Sequence, residues 1–298
     1  MRQLSCPVCQ TSPTFSPAPH SICDCPNCGI RWTYLPEYIR WEELYRDEVY
    51  AVVDNRASIF EKIIFSEARK VLRQAKSIVP NAHRLLDFGS GKGQFLAVAK
   101  ALGWDGLGIE TEAQRAQFAQ EKYGVRVLTS LYTEGKIEAG NFDLITLNHV
   151  LEHLPDPISL LQELIQNNLA EKGILYLEVP RADSWQAKIA GKNWMHWDIP
   201  KHLTHWNYQS LETELGKIGM EVIAKRSFSV HLGVLGMLQA LMSRLGFKEN
   251  LIYRLKRKKS FGLILGIGVL LPFATILEAL SVLFGKSGIL GIYAKNHG

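Results

Sequence analysis

Three groups of residues in this 298-residue chain have types and spacings that could do chemistry. The first is thiolate. All five cysteines fall between residues 6 and 28. Cys6-Pro7-Val8-Cys9 and Cys25-Pro26-Asn27-Cys28 repeat one C-P-x-C turn, with fifteen residues between them. Two thiolates three apart can bind one tetrahedral ion, and a second such turn completes a four-sulfur shell. Structural zinc on Cys6, Cys9, Cys25 and Cys28 is the expectation. Disulfides would need an oxidising compartment. Cys23 could stand in for Cys25, and His20 is a weaker ligand still.

The second group is the stretch Leu85-Leu86-Asp87-Phe88-Gly89-Ser90-Gly91-Lys92-Gly93. Apolar residues lead into an acid, and three glycines follow at alternate positions. Phe95, Val98 and Leu102 then recur at helical spacing. This predicts a buried strand, a tight turn and a helix whose first N–H groups are unpaired. Such a turn is a nucleotide-type site.

The third group is imidazole and carboxylate. His149, Glu152 and His153 sit at i, i+3 and i+4, one face of a helical turn. They follow an apolar strand and are candidates for proton transfer, His149 first. Residues 181–208 hold Trp185, Trp194, Trp197 and Trp206, four of the seven tryptophans, together with His196, His202 and His205. In an α/β fold this loop would overhang the site, with His202 a further catalytic candidate.

The elements that must position these groups alternate. Ser58-x-x-Glu61 reads as a capping box opening a helix that ends near Pro80. Strands are expected at 84–88, 107–110, 125–128, 142–147, 174–179 and 221–225. Thr111-x-x-Gln114 is expected to cap one intervening helix, and Asp156-Pro157 starts another. Alternation at these lengths predicts a doubly wound parallel α/β sheet. Glu110 ends the second strand, 23 residues after Asp87, where an acid grips ribose hydroxyls. Both nicotinamide and methyl-donor enzymes use such an acid. The glycine spacing separates them. A dinucleotide turn reads G-x-G-x-x-G, whereas here the third glycine comes one residue early.

That pattern closely resembles motif I of the class I S-adenosylmethionine-dependent methyltransferases. Asn141-Phe142-Asp143-Leu144-Ile145 and Asn148-His149-Val150-Leu151-Glu152-His153-Leu154-Pro155-Asp156-Pro157 resemble a second family segment. Lys201-His202-Leu203-Thr204-His205-Trp206, with Leu211 and Gly219-Met220-Glu221-Val222, resembles a third, from the ubiquinone-biosynthesis-like branch. The resemblance implies a seven-stranded Rossmann-like sheet with S-adenosylmethionine as cofactor. It implies cofactor binding by Asp87, Phe88, Gly89, Ser90, Gly91 and Gly93, with the methionine end on the backbone of Phe88 to Gly91. Glu110 would hold the ribose, and Asn148 would lie beside the sulfonium. Some quinone-pathway relatives place metal-binding acids in the second segment, and His149 stands where one of those acids would be.

Between the sixth strand and a seventh at 288–294 lie about 60 mostly apolar residues. Phe261 to Phe284 is long enough to cross a membrane. Both ends belong to one sheet, however, so crossings must be even in number. A two-span hairpin would put the cationic connector on the wrong side, and Glu278 would sit in lipid. A monotopic or re-entrant helix pair split at Pro272 is expected instead, with a buried soluble subdomain as the alternative. Lys248, Arg254, Lys256, Arg257, Lys258 and Lys259 against Glu249 equal the whole net charge of +5, which would favour anionic headgroups. The rest of the chain is neutral overall, and residues 1–34 carry only Arg2 and Arg31 against Asp24. That argues against a nucleic-acid-coating protein.

The expected organisation is a zinc ribbon (1–34), a helical linker or lid (35–80), a methyltransferase core (81–227), a hydrophobic helical insertion (228–287) and the final core strand (288–298). No signal peptide is expected at the N-terminus. The expected place is the cytoplasm, peripheral on the inner membrane face. The expected reaction is methyl transfer to an amphipathic or lipid-linked small molecule, with residues His149, Glu152 and His202 as catalytic candidates. Alternatives are C-methylation of nucleotide-linked sugars, methylation of ribosomal RNA, and a membrane-associated cofactor-binding protein without catalysis.

Overall fold

The computed structural model describes residues 2–14, 16–39, 58–130, 137, 140–247, 249–251, 254–255 and 260–297. Of the expected helical linker or lid, residues 40–57 lie outside them, as do the cationic Lys248 and Lys256 to Lys259. In chain order, β1 (Ile22–Asp24) and β2 (Arg31–Thr33) form an antiparallel hairpin, and helix α1 (Ile59–Ile78) follows. Strand and helix then alternate as β3 (Arg84–Phe88), α2 (Gln94–Ala101), β4 (Asp105–Glu110), α3 (Ala113–Tyr123) and β5 (Arg126–Thr129). Next come β6 (Phe142–Asn148), α4 (Pro157–Asn168), β7 (Leu169–Pro180), α5 (Trp185–Ala190) and the short β8 (Thr204–His205). The chain ends with α6 (Tyr208–Lys217), β9 (Met220–Arg226), α7 (Leu235–Arg244), α8 (Phe261–Leu283) and β10 (Ile289–Asn296).

Seven strands form one sheet in the order β5-β4-β3-β6-β7-β10-β9. From β5 to β7 the pairing is parallel, as the alternation predicts. β10 is the exception and pairs antiparallel with both β7 and β9. It begins where β9 ends, at the same edge, so the returning chain must run the other way. The strand order reverses between β3 and β6, and the crevice outside their carboxyl ends is where α/β folds bind ligands.

Local chemistry fixes the helix starts. Ser58 Oγ accepts from Glu61 N at 3.1 Å, and Asp156 Oδ1 accepts from Ser159 N at 3.1 Å with Pro157 first in the helix. Thr111 does not cap α3. The N-cap residue is Glu112, whose own N–H donates to Glu110 Oε1 at 2.9 Å, so the acid at the strand tip takes the place of the threonine.

Apolar side chains of α1, α2 and α3 pack on one face of the sheet, and those of α4 and α6 on the other. The ribbon joins the second of these cores. Cys6, Cys23, Cys25, Ile30 and Trp32 are buried in the same cluster as Leu151, Trp206 and Leu211. Its hairpin also gains a third strand from the main fold, since β2 pairs with β8, Trp32 opposite Thr204. A segment too short to build its own core is thus sheltered by another.

The insertion holds a helical turn, Val230–Val234, then α7 and α8. α8 is one continuous helix of 23 residues, not a pair split at Pro272. A proline inside a helix removes one N–H and strands a carbonyl four residues back. Here that residue is Gly268, exposed like Pro272 itself. The helix is inside out on one side only: Leu263, Ile267, Leu270 and Leu277 pack on α7, and the opposite side is apolar and exposed. Its buried residues are Leu263, Ala274, Glu278 and Ser281, while Phe261, Ile264, Leu265, Val269, Phe273, Ile276 and Leu283 are each more than half exposed. α8 therefore closes a small apolar cluster with α7 on one side and leaves the large side chains of its other side facing away from the protein. Glu278 is fully buried and accepts from Gly288 N at 2.9 Å, so it faces the protein's own backbone.

Candidate functional site

Gly89, Gly91 and Gly93 all have positive φ, from 54° to 74°. A Cβ on Gly89 would come 2.4 Å from Val150 Cγ2, and one on Gly93 would come 2.6 Å from Ala119 Cβ. A Cβ on Gly91 would meet nothing within 4 Å. Two glycines are therefore demanded by packing, and the middle one opens onto space. That space is an open cleft of about 230 Å³, lined here by Asp87, Gly89, Ser90, Gly91, Asn148 and His149. Ser90 Oγ and Gln94 Nε2 are buried in its wall without a hydrogen-bond partner among the described residues. Buried polar atoms are nearly always paired, so both await a polar ligand.

Phe88, Gly93 and Glu110 do not line the cleft. Phe88 packs in the core beneath the turn, and Gly93 caps α2. Glu110, 5% exposed, accepts from Gly91 N at 2.8 Å and from Glu112 N. It thereby holds the turn to the start of α3. Asp87 accepts from Thr146 Oγ1 at 2.7 Å and faces Asn148 Nδ2 at 3.4 Å. Burial pushes its carboxyl up to about 7, against the hydrogen bonds from Thr146 and Asn148, and the charge of Glu110 adds to the rise.

His149 follows β6 with φ of 55°, a left-handed conformation uncommon outside glycine, and it stands in the cleft wall. Its ring stands between two acids. Nε2 lies 3.2 Å from Glu178 Oε1 and Nδ1 lies 3.5 Å from Glu152 Oε1. Burial alone would lower its pKa, but these carboxylates outweigh burial and hold it at about 9. Burial would likewise raise the acids, yet Glu152 is held at about 2 by the histidines around it, and Glu178 at about 2 by Arg226 and His149. Glu178 is bonded to Arg226 and Tyr176, and Arg226 reaches Glu67 at 3.6 Å. Glu67 in turn accepts from Ser229 Oγ, Val230 N and His231 N.

Glu67, Glu178, Arg226 and His231 all line the cleft and escaped the sequence reading. A signal existed for Glu178, a charged residue inside the apolar run from Ile174 to Val179. Nothing in the sequence put Glu67, on α1, or His231, in the insertion, at the same place.

His202 is not in the cleft wall, and neither is any other residue of 181–208. That loop is a packed unit: Trp194 Nε1 donates to Gln186 Oε1 at 3.0 Å, and Trp197 stacks edge-on to both Trp194 and His205. His202 instead meets Glu152 and His153 one layer behind His149.

The sequence matches a family model for a methyltransferase domain over residues 56–225, more than half of the chain. The chain belongs to the methyltransferase-domain family. No curated protein matches it. Among solved structures, a SAM-dependent methyltransferase from Archaeoglobus fulgidus is 19% identical with a TM-score of 0.51, over 79% of this chain and 94% of that one. A plantazolicin methyltransferase, solved in complex with a monoazolic desmethylPZN analog and SAH, is 14% identical with a TM-score of 0.52, over 86% of this chain and 90% of that one. At these identities the likeness is one of fold.

In a methyltransferase the cleft has suitable chemistry for a cationic donor. Methyl transfer from a sulfonium is an in-line displacement in which the protein aligns donor and acceptor. The cleft wall carries Asp87, Glu67 and Glu178 beside Lys92, Arg226, His149 and His231, and Asp87 is the acid next to the glycine turn.

The four cysteines of the two turns converge in this methyltransferase as well. Their sulfurs all lie within 4.8 Å of one another, with Cys6 to Cys28 at 3.6 Å and Cys9 to Cys25 at 3.4 Å. A tetrahedral zinc with bonds of about 2.3 Å needs sulfurs roughly 3.8 Å apart. The donor set and spacing therefore fit zinc. Cys23, the alternative ligand, lies on β1 and is not in the cluster.

Proposed function

We propose that this methyltransferase moves the methyl group of S-adenosylmethionine to an amphipathic, lipid-linked small molecule at an anionic membrane surface. The observation that supports this is where the inside-out helix is attached. His231 and Leu232, in the first turn of the insertion, form part of the cleft wall, and α8 displays large apolar side chains outward from the same insertion. α8 is long and apolar enough to cross a bilayer by length and composition. The strands that flank the insertion, β9 and β10, belong to one sheet, which favours an orientation lying in the interface. The segment from Lys201 to Trp206 is the basis for placing the chain in the ubiquinone-biosynthesis-like branch.

In this reading Asp87 and the turn through Gly91 hold the methionine end, Glu110 orients the turn toward the ribose, and Asn148 borders the sulfonium. His149, held at about 9, is an imidazolium at neutral pH and donates a hydrogen bond. His231, whose pKa is lowered by burial, is the neutral imidazole in the wall and is suited to accept the acceptor's proton. Zinc on Cys6, Cys9, Cys25 and Cys28 is structural.

Radiolabelled methyl transfer into lysate fractions tests the acceptor class. Label is expected in the lipid extract; label confined to nucleotide-sugar or RNA pools would overturn the proposal. Flotation with anionic vesicles tests the surface. Each exposed large side chain placed in lipid is worth on the order of 1 kcal/mol or more. Phe273→Ser with Ile276→Ser should therefore weaken vesicle binding at least ~10-fold and leave S-adenosylhomocysteine binding unchanged. Wild-type protein that stays at the bottom of the gradient refutes the membrane assignment.

A further inference from the structure

Glu152, His153 and His202 lie outside the cleft and converge on one another. One ligand atom from each lies within 4.8 Å of the others. Glu152 and His153 come from the single turn after β6, and His202 from the loop before β8. The backbone ties the two segments together, with Leu203 N donating to Glu152 O at 2.7 Å.

The carboxylate is set up for a cation. Glu152 is 1% exposed and neither oxygen accepts a hydrogen bond; the His149 Nδ1 that pairs with it stands off at 3.5 Å. The His149 imidazolium, on the Oε1 side, supplies part of the charge this buried carboxylate requires, and a cation on Oε2, which has no partner among the described residues, would supply the rest. Both imidazoles are oriented by backbone carbonyls: His153 Nδ1 lies 3.1 Å from Lys201 O, and His202 Nδ1 lies 2.8 Å from His196 O. A protonated Nδ1 on a carbonyl leaves Nε2 carrying the lone pair, which is how metal-bound histidines are held. The rings cross edge to face, 4.6 Å between centroids. Asp198 Oδ2 lies 4.0 Å from His202 Nε2, a second carboxylate near the group.

We propose that Glu152, His153 and His202 bind a divalent first-row transition-metal ion, distinct from the ion of the four cysteines. Two imidazoles and one carboxylate suit zinc or iron and leave positions for water or Asp198. The set is not an acid site of the kind that hard magnesium takes, because two of its three ligands are imidazole nitrogens. The ion joins the turn after β6 to the loop before β8, one layer behind the cleft, and its binding does not depend on which acceptor is methylated.

The experiment is metal loading of the full chain, stripped and then titrated with zinc or cobalt. Two ions per chain are expected. Cobalt–thiolate charge-transfer bands report only the cysteine site, so Glu152→Gln or His202→Asn should reduce the count from two to one and leave those bands intact. S-adenosylhomocysteine binding identifies variants that have folded. X-ray absorption of the zinc-loaded wild type does not depend on any variant. It should show nitrogen or oxygen neighbours at about 2.0–2.1 Å beside sulfur at about 2.3 Å. One ion per chain surrounded by sulfur alone, or two ions retained by both folded variants, would overturn the site.

Discussion

At the scale of single residues, Asp87 couples the cleft to pH. Its carboxyl stands at about 7 in the folded chain, above the ordinary 3.8, because it is buried. The proton is therefore favoured by folding. That contribution is complete below about pH 4 and is lost as pH rises through about 7. A bound ligand with an ammonium or sulfonium group nearby reverses the preference and expels the proton. S-adenosylmethionine and S-adenosylhomocysteine, which share the methionine ammonium, should bind more tightly at pH 8 than at pH 6, by several-fold, with a proton released on binding. Calorimetry in buffers of different ionisation heat measures that proton directly. Asp87→Asn should remove the pH slope, and a slope that survives would take Asp87 out of the linkage.

Among the elements, the contact between β2 and the segment before β8 ties the ribbon to the core. Thr33 is fully buried; its Oγ1 donates to His202 O at 2.6 Å and lies 2.9 Å from His205 Nε2. Burial holds His205 down at about 3, so at neutral pH it is uncharged and can donate to Thr33 from Nε2. Thr33→Val keeps the shape and strands two buried groups, at a cost of about 1–3 kcal/mol. The expected readout is a lower Tm with faster hydrogen exchange at residues 202–205. Unchanged exchange there would mean that the ribbon does not hold the loop. α8 teaches the opposite lesson about elements. Its composition could be read from the sequence, but which of its sides faces the protein could not. A uniformly apolar helix has no amphipathic stripe to choose a face. The packed stripe runs through Leu263, Ile267, Leu270, Ala274 and Leu277, and Glu278 pins it by accepting from Gly288 N.

For the whole molecule, the ribbon and the methyltransferase core share one apolar cluster, so metal removal should not be a local event. Chelation of the cysteine-bound ion should lower the Tm of the entire chain, on the order of 5 °C or more, in a single transition. Two separate transitions would show an independently folding ribbon. Much of this arrangement was open to a sequence reading. The glycine run, the acid at Glu110 and the paired C-P-x-C turns are local, and local spacing dictates turns, strands and ligand sets without reference to the rest of the chain. The parallel sheet from β5 to β7 follows from alternation, because each crossover leaves little freedom. What the sequence could not rank was proximity between distant segments. Glu67, Glu178, Arg226 and His231 come from four places in the chain and meet at one cleft wall. His202, expected over the cleft, lies behind it with Glu152. Spacing along the chain says nothing about such encounters, since burial and charge pairing act through space. The donor side of the reaction was thus determined by short-range sequence; the surroundings of His149, the sheltered ribbon and the outward face of α8 were decided only when the chain closed on itself.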